Sequence, residues 1–67
     1  MKPHMKVAVT RSGLGHEIIC ITAEATRVFR DVFSASRYIK SYWKSEGFPA
    51  RAKKYTLEII QRIQRMK

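Results

Sequence analysis

Arg30, Arg37 and Lys44 recur every seven residues. At about 100° per residue, seven residues on a helix return to nearly the same side. Arg27 and Lys40 fall beside that row, so five cations share one stripe that only Asp31 interrupts. Surface helices usually mix charge signs. A one-signed stripe can lie along a phosphate backbone, where each neutralised phosphate releases counterions. Tyr38 borders the stripe next to Arg37. A phenol there could stack on a base, or pack over a neighbour with its oxygen in water. A second basic cluster, Arg51, Lys53 and Lys54, follows Gly47 in the stretch FPARAKKY. Connections between elements often carry contacts. These nine residues are the candidate binding set for a nucleic acid or an acidic partner.

Other chemistry is thinly supplied. Glu17, Glu24, Asp31, Glu46 and Glu58 are scattered and form no evident acid–base pair. A nucleophile–base set would have to combine Ser12 or Cys20 with His16, and no supporting motif surrounds them. His4, His16 and Cys20 are the only candidate nitrogen and sulfur ligands, too few for a structural zinc site. Gly13 and Gly15 follow an extended segment, as in a phosphate-binding loop, but no glycine-rich run or helix comes after them. The chain is therefore not expected to be an enzyme, and no cofactor or metal is implied.

Composition points the same way. Fourteen Lys and Arg stand against five Asp and Glu, a net charge of +9 over 67 residues. That exceeds the magnitude of about 2–8 that keeps a small domain soluble, and it favours polyanionic partners. A chain this short forms one domain and buries only about 60% of its unfolded surface. Its single cysteine supplies no disulfide, which leaves a homodimer open as a source of further buried area. A lone cysteine among Ile18, Ile19 and Ile21 reads as a small buried hydrophobe and fits a reducing cytoplasm, the host's if the protein is viral. No apolar run approaches the ~20 residues of a membrane span. Met1 to His4 read as a flexible leader or remnant, with Met5 as a candidate start.

The elements that must carry these residues follow from periodicity. Lys6 to Arg11 alternates, with Val7 and Val9 on one side and Lys6, Ala8 and Thr10 on the other, the pattern of a half-buried strand. His16 to Thr22 reads as a second strand, and Ser12-Gly-Leu-Gly15 between them as a tight hairpin turn. From Thr22, a candidate N-cap, apolar residues continue through Ala25, Val28, Phe29, Val32, Ala35, Ile39, Tyr42 and Trp43 at helical steps. The unbroken period favours one long or kinked helix over residues 23–46, with Val28, Val32 and Ile39 in the core and Gly47 at its C-terminal cap. The alternative makes Thr26 to Arg30 a third strand and has Ser34 cap a shorter helix. Residues 55–66 read as a helix capped by Thr56, or less well as a strand.

The expected fold is α+β: an N-terminal β-hairpin packed against the amphipathic helix, then a C-terminal element, helical by preference. The expected function is binding of DNA or RNA, mainly through phosphate, by the helix face and the basic turn. The alternative is a small regulator or inhibitor, such as a phage protein docking on an acidic surface of a host protein. Exposed Tyr38, Trp43 or Phe48 would then anchor the contact.

Overall fold

The computed structural model describes residues 3–13 and 15–66. Leu14 of the expected hairpin turn, Met1 and Lys2 of the expected leader, and Lys67 lie outside them. Three strands precede two helices: β1 (Met5–Ser12), β2 (Gly15–Thr22), β3 (Thr26–Phe29), α1 (Val32–Ser45) and α2 (Arg51–Arg65). This is an α+β fold. The strands form one antiparallel sheet in the order β1-β2-β3.

The hairpin follows from its alternation. Register runs from Met5 opposite Thr22 to Ser12 opposite Gly15, and Gly15 takes a φ of 130°. Met5, Val7 and Val9 of β1 and Ile18 and Cys20 of β2 face the helices and are buried. Ala35, Ile39 and Trp43 of α1 and Ala52 and Ile59 of α2 close the same core. Neither helix covers the other side of the sheet. There Ala8, Ile19 and Val28 form one cross-strand row and Lys6, Ile21 and Thr26 the next; Ile21 and Val28 are exposed.

The long helix over 23–46 does not form. Thr22 does cap backbone N–H groups, as its side chain favours, but in a turn: its Oγ1 accepts from Glu24 N–H and Ala25 N–H. Thr22 N–H donates to the Ala25 carbonyl at 2.9 Å, and the chain reverses into β3. Thr26, Val28 and Phe29 suit a strand, and pairing from Ile21–Thr26 to Ile18–Phe29 fills the second edge of β2. Local period fits both outcomes, and the non-local ladder decides between them. Val28 therefore does not belong to the core. It lies opposite Ile19 on the uncovered side and is 54% exposed.

Asp31, not Ser34, caps α1. Its carboxylate accepts from Ser34 N–H at 2.8 Å and from Ser34 Oγ at 2.9 Å. These two bonds hold its pKa below the usual carboxylate range. At the other end, Gly47 is left-handed at φ 88°, as expected. Its N–H donates to the Lys44 carbonyl, and Phe48 N–H donates to the Trp43 carbonyl, the two bonds of a Schellman cap.

The C-terminal element is a helix, and it begins at Arg51 rather than near Thr56. Arg51 N–H and Ala52 N–H bond to the carbonyls of Phe48 and Pro49, so the turn leads directly into α2. Thr56 lies inside the helix, where its hydroxyl donates to the Ala52 carbonyl and meets Ser36 of α1 at 3.4 Å. The helices also join through Trp43 and Tyr55, stacked with centroids 5.4 Å apart. Arg11 at the end of β1 donates to the Met66 carbonyl at 2.6 Å and holds the C-terminus of α2.

Candidate nucleic-acid interface

The core side of α1 is fixed by Ala35, Ile39 and Trp43. Phe33, Arg37, Lys40 and Lys44 then fall within an arc of about 60°, centred about 130° round the helix from the core side. All four are exposed. Three cations of the candidate set thus come together on one row, each about one helical turn from the next. Beside Lys40 and Lys44 runs a groove of about 650 Å3 between α1 and α2. Lys53 faces them from α2, while Pro49, Ala52 and Leu57 give the groove an apolar floor. Lys54 lines the outward face of α2 next to it, with Lys53, Leu57 and Glu58.

Among the described residues the single ion pair is Arg62–Glu58, at 3.6 Å on α2. Lys40, Lys44 and Lys53 have no carboxylate partner there, and none lines the groove. Of the two acidic residues that flank the row in sequence, Asp31 is engaged in capping, and Glu46 lines a depression with Arg27 and Tyr38 rather than the groove. The groove between the two helices therefore carries uncompensated positive charge over a partly apolar floor.

The other expected residues lie elsewhere. Arg30 precedes α1 in the bend after β3, so it does not extend the Arg37–Lys44 row along one helix. Arg27 sits on β3 opposite Cys20. It lines a separate depression of about 310 Å3 on the other flank of α1, with Glu24, Glu46 and Tyr38. Tyr38 itself packs on Phe29, ring centroids 5.4 Å apart. The Arg51 guanidinium lies 4.2 Å from the Phe48 centroid and 5.5 Å from that of Trp43. It folds back on the turn as a cation over aromatic faces.

The expected aromatic anchors also change. Trp43 is 1% exposed and belongs to the core, so it cannot reach a partner. Its Nε1 and the Nε2 of His16 are buried without a hydrogen-bond partner. Two apolar residues outside the expected set stand out instead. Phe33 is 73% exposed and Leu57 47%. The signal for Phe33 was its phase: it sits four residues before Arg37, on the row of cations rather than the core arc. Leu57 lies outside the apolar stripe of a helix that begins near Thr56, and the earlier start at Arg51 is what sets it beside Lys53.

Of the nucleophile candidates, Cys20 is fully buried. Burial pushes its thiol up to about 11, which keeps it protonated and poorly nucleophilic at neutral pH. Among the described residues, no three His, Cys, Asp or Glu side chains come together to hold a metal, and no helix is long and apolar enough to cross a membrane.

The chain matches no family model, no curated protein and no solved structure, so its own residues define the site.

Proposed function

We propose that this protein binds nucleic acid through the outward side of its helical pair. One observation carries the proposal: Lys40 and Lys44 of α1 and Lys53 of α2 line one groove with no carboxylate among its lining residues, and exposed Arg37 lies on the same row of α1 as Lys40 and Lys44. Lysines held in this way have phosphate as a natural counter-charge. Lys54 adds to the field from α2. Arg27 and Arg30 contribute at longer range, and Arg51 supports the turn. Contacts to phosphate fix position rather than read sequence, so specificity is modest. Such a protein would work in a cytoplasm, where nucleic acid is at hand.

The regulator reading draws on the same cations and would seat them on an acidic protein surface. It is weakened by its anchors, because Trp43 is buried and Phe48 lies under Arg51. On the cationic side, Phe33 and Leu57 would have to fill a partner's pockets instead.

The triple variant Arg37→Gln, Lys40→Gln, Lys44→Gln separates the two. Glutamine keeps helix propensity, so the fold should persist. Affinity for an oligonucleotide should fall, and the slope of log affinity against log salt should shrink by up to about one unit for each phosphate no longer neutralised. Binding to polyglutamate at physiological salt, with none to any oligonucleotide, would refute the nucleic-acid reading and favour the regulator.

A further inference from the structure

We infer that the nucleic acid this face takes is single-stranded, with Phe33 stacking on one unpaired base and the groove floor at Leu57 receiving another. The inference rests on the nucleic-acid reading and adds to it the state of the strand.

A duplex presents its phosphates outward and keeps its bases stacked inside. A protein that meets only that backbone needs cations and polar donors. The face described here has those cations but interleaves them with apolar surface. Phe33 begins the row that continues through Arg37, Lys40 and Lys44. At 73% exposure its ring contributes little to the core. An aromatic ring on a cationic track is what an unpaired base can use, because every base has a flat face to stack. Tyr38, the aromatic expected to do this from sequence, is occupied by Phe29 on the far flank.

The groove repeats the pattern. Its floor of Pro49, Ala52 and Leu57 is apolar, and Lys40, Lys44 and Lys53 stand at its rim. A base laid on the floor would leave its phosphate within the reach of those ammonium groups. From Phe33 to Lys44 the row rises about 16 Å at 1.5 Å per residue, a length for a few nucleotides in extended form. Base identity would matter little, and the two hydroxyls that line the groove, Ser36 and Thr56, meet each other at 3.4 Å with Thr56 donating to the Ala52 carbonyl, so DNA and RNA strands should both bind.

The test uses the whole chain and fluorescence anisotropy with labelled oligothymidylate, oligouridylate and a DNA duplex of equal phosphate number, at one fixed salt. Both single strands should bind more tightly than the duplex. Phe33→Ala should lose about tenfold for the single strands, the scale of one base–aromatic stack, with the duplex affinity and the salt slope unchanged. Phe33→Trp should restore binding. Because Phe33 is largely exposed, the Ala variant should keep the wild-type melting temperature, which is measured alongside. Equal binding of single strands and duplex, with no effect of Phe33→Ala, would overturn the inference and leave the nucleic-acid reading standing. Absence of binding to all three probes would remove both.

Discussion

Phe48 closes the end of α1 over Trp43: its N–H donates to the Trp43 carbonyl at 2.8 Å, and the two rings meet edge-on with centroids 6.5 Å apart. This backbone bond and ring contact depend on the residue just before Phe48. Gly47 turns the chain at φ 88°, and a Cβ added there would meet nothing within 4 Å. The penalty for a side chain is therefore conformational rather than steric. Gly47→Val should cost about 1–2 kcal/mol, as a left-handed backbone does for a β-branched residue, and Gly47→Asn clearly less. Urea unfolding of both variants checks the order; a Val variant as stable as wild type would contradict the cap.

The core assignment separates three aliphatic residues that share one period in the sequence. Ile39 is fully buried, Val32 is half-buried and Val28 is 54% exposed. Ile39→Ala should destabilise by roughly 2–4 kcal/mol. Val28→Ala should fall within about 0.5 kcal/mol of wild type, as surface changes do. Val32→Ala should lie between them. Equal losses at Val28 and Ile39 would restore the long helix.

Two titrating groups give opposite pH dependences. Asp31 has a folded pKa below its ordinary value. Its contribution is complete above the unfolded pKa and is lost as pH falls through the folded one, in the acid range below about 4. Asp31→Asn keeps a capping acceptor and should flatten that acid loss in thermal melts, while Asp31→Ala should lower the melting temperature at neutral pH as well. Cys20 has a folded pKa raised to about 11. Its thiol resists ionisation in the fold, so stability holds below the unfolded pKa and declines as pH rises from there toward about 11.

The same burial makes Cys20 a reporter of opening. A thiol reagent should label it slowly at neutral pH until denaturant is added. Cys20→Ser should abolish the signal. Rapid labelling of the native protein would show that the strand is not covered by the helices.

Arg51 should behave as a structural cation. Its guanidinium rests 4.2 Å from the Phe48 ring centroid. Arg51→Gln should destabilise by about 0.5–1 kcal/mol and leave the salt slope of oligonucleotide binding nearly unchanged. A slope reduced as much as by Lys40→Gln would place Arg51 among the phosphate contacts instead.

What was legible in the sequence was what neighbours in the chain decide. Alternation at Val7 and Val9 announced β1, and Gly47 followed by Pro49 announced the end of α1. The third strand is legible only as the less favoured of two readings of Thr26 to Arg30, and the structure takes that one. Val28, Phe29 and Val32 satisfy a helical step as well as a strand, and Thr22 caps a turn with the same hydroxyl that would cap a helix. Only the open edge of β2, which lies outside that window, selects the strand. The break at residues 30–31 then removes Arg30 from the helical row and leaves Phe33 at its head. Arg37, Lys40 and Lys44 kept their common phase because they all lie beyond the break.

The side of the sheet that the helices leave bare bears on how the protein behaves in bulk. Ala8, Ile19, Ile21 and Val28 form a small oily panel on a molecule of charge +9. Two copies approaching through that panel must first overcome mutual repulsion, which at low ionic strength reaches beyond 10 Å. Added salt shortens that reach to about 3 Å at 1 M and strips the panel of its colloidal guard. A bound polyanion does the same by neutralisation. The protein should therefore be best dispersed when dilute in salt and unliganded, and crowd together along a saturated strand, where its copies are brought close with their charge already balanced.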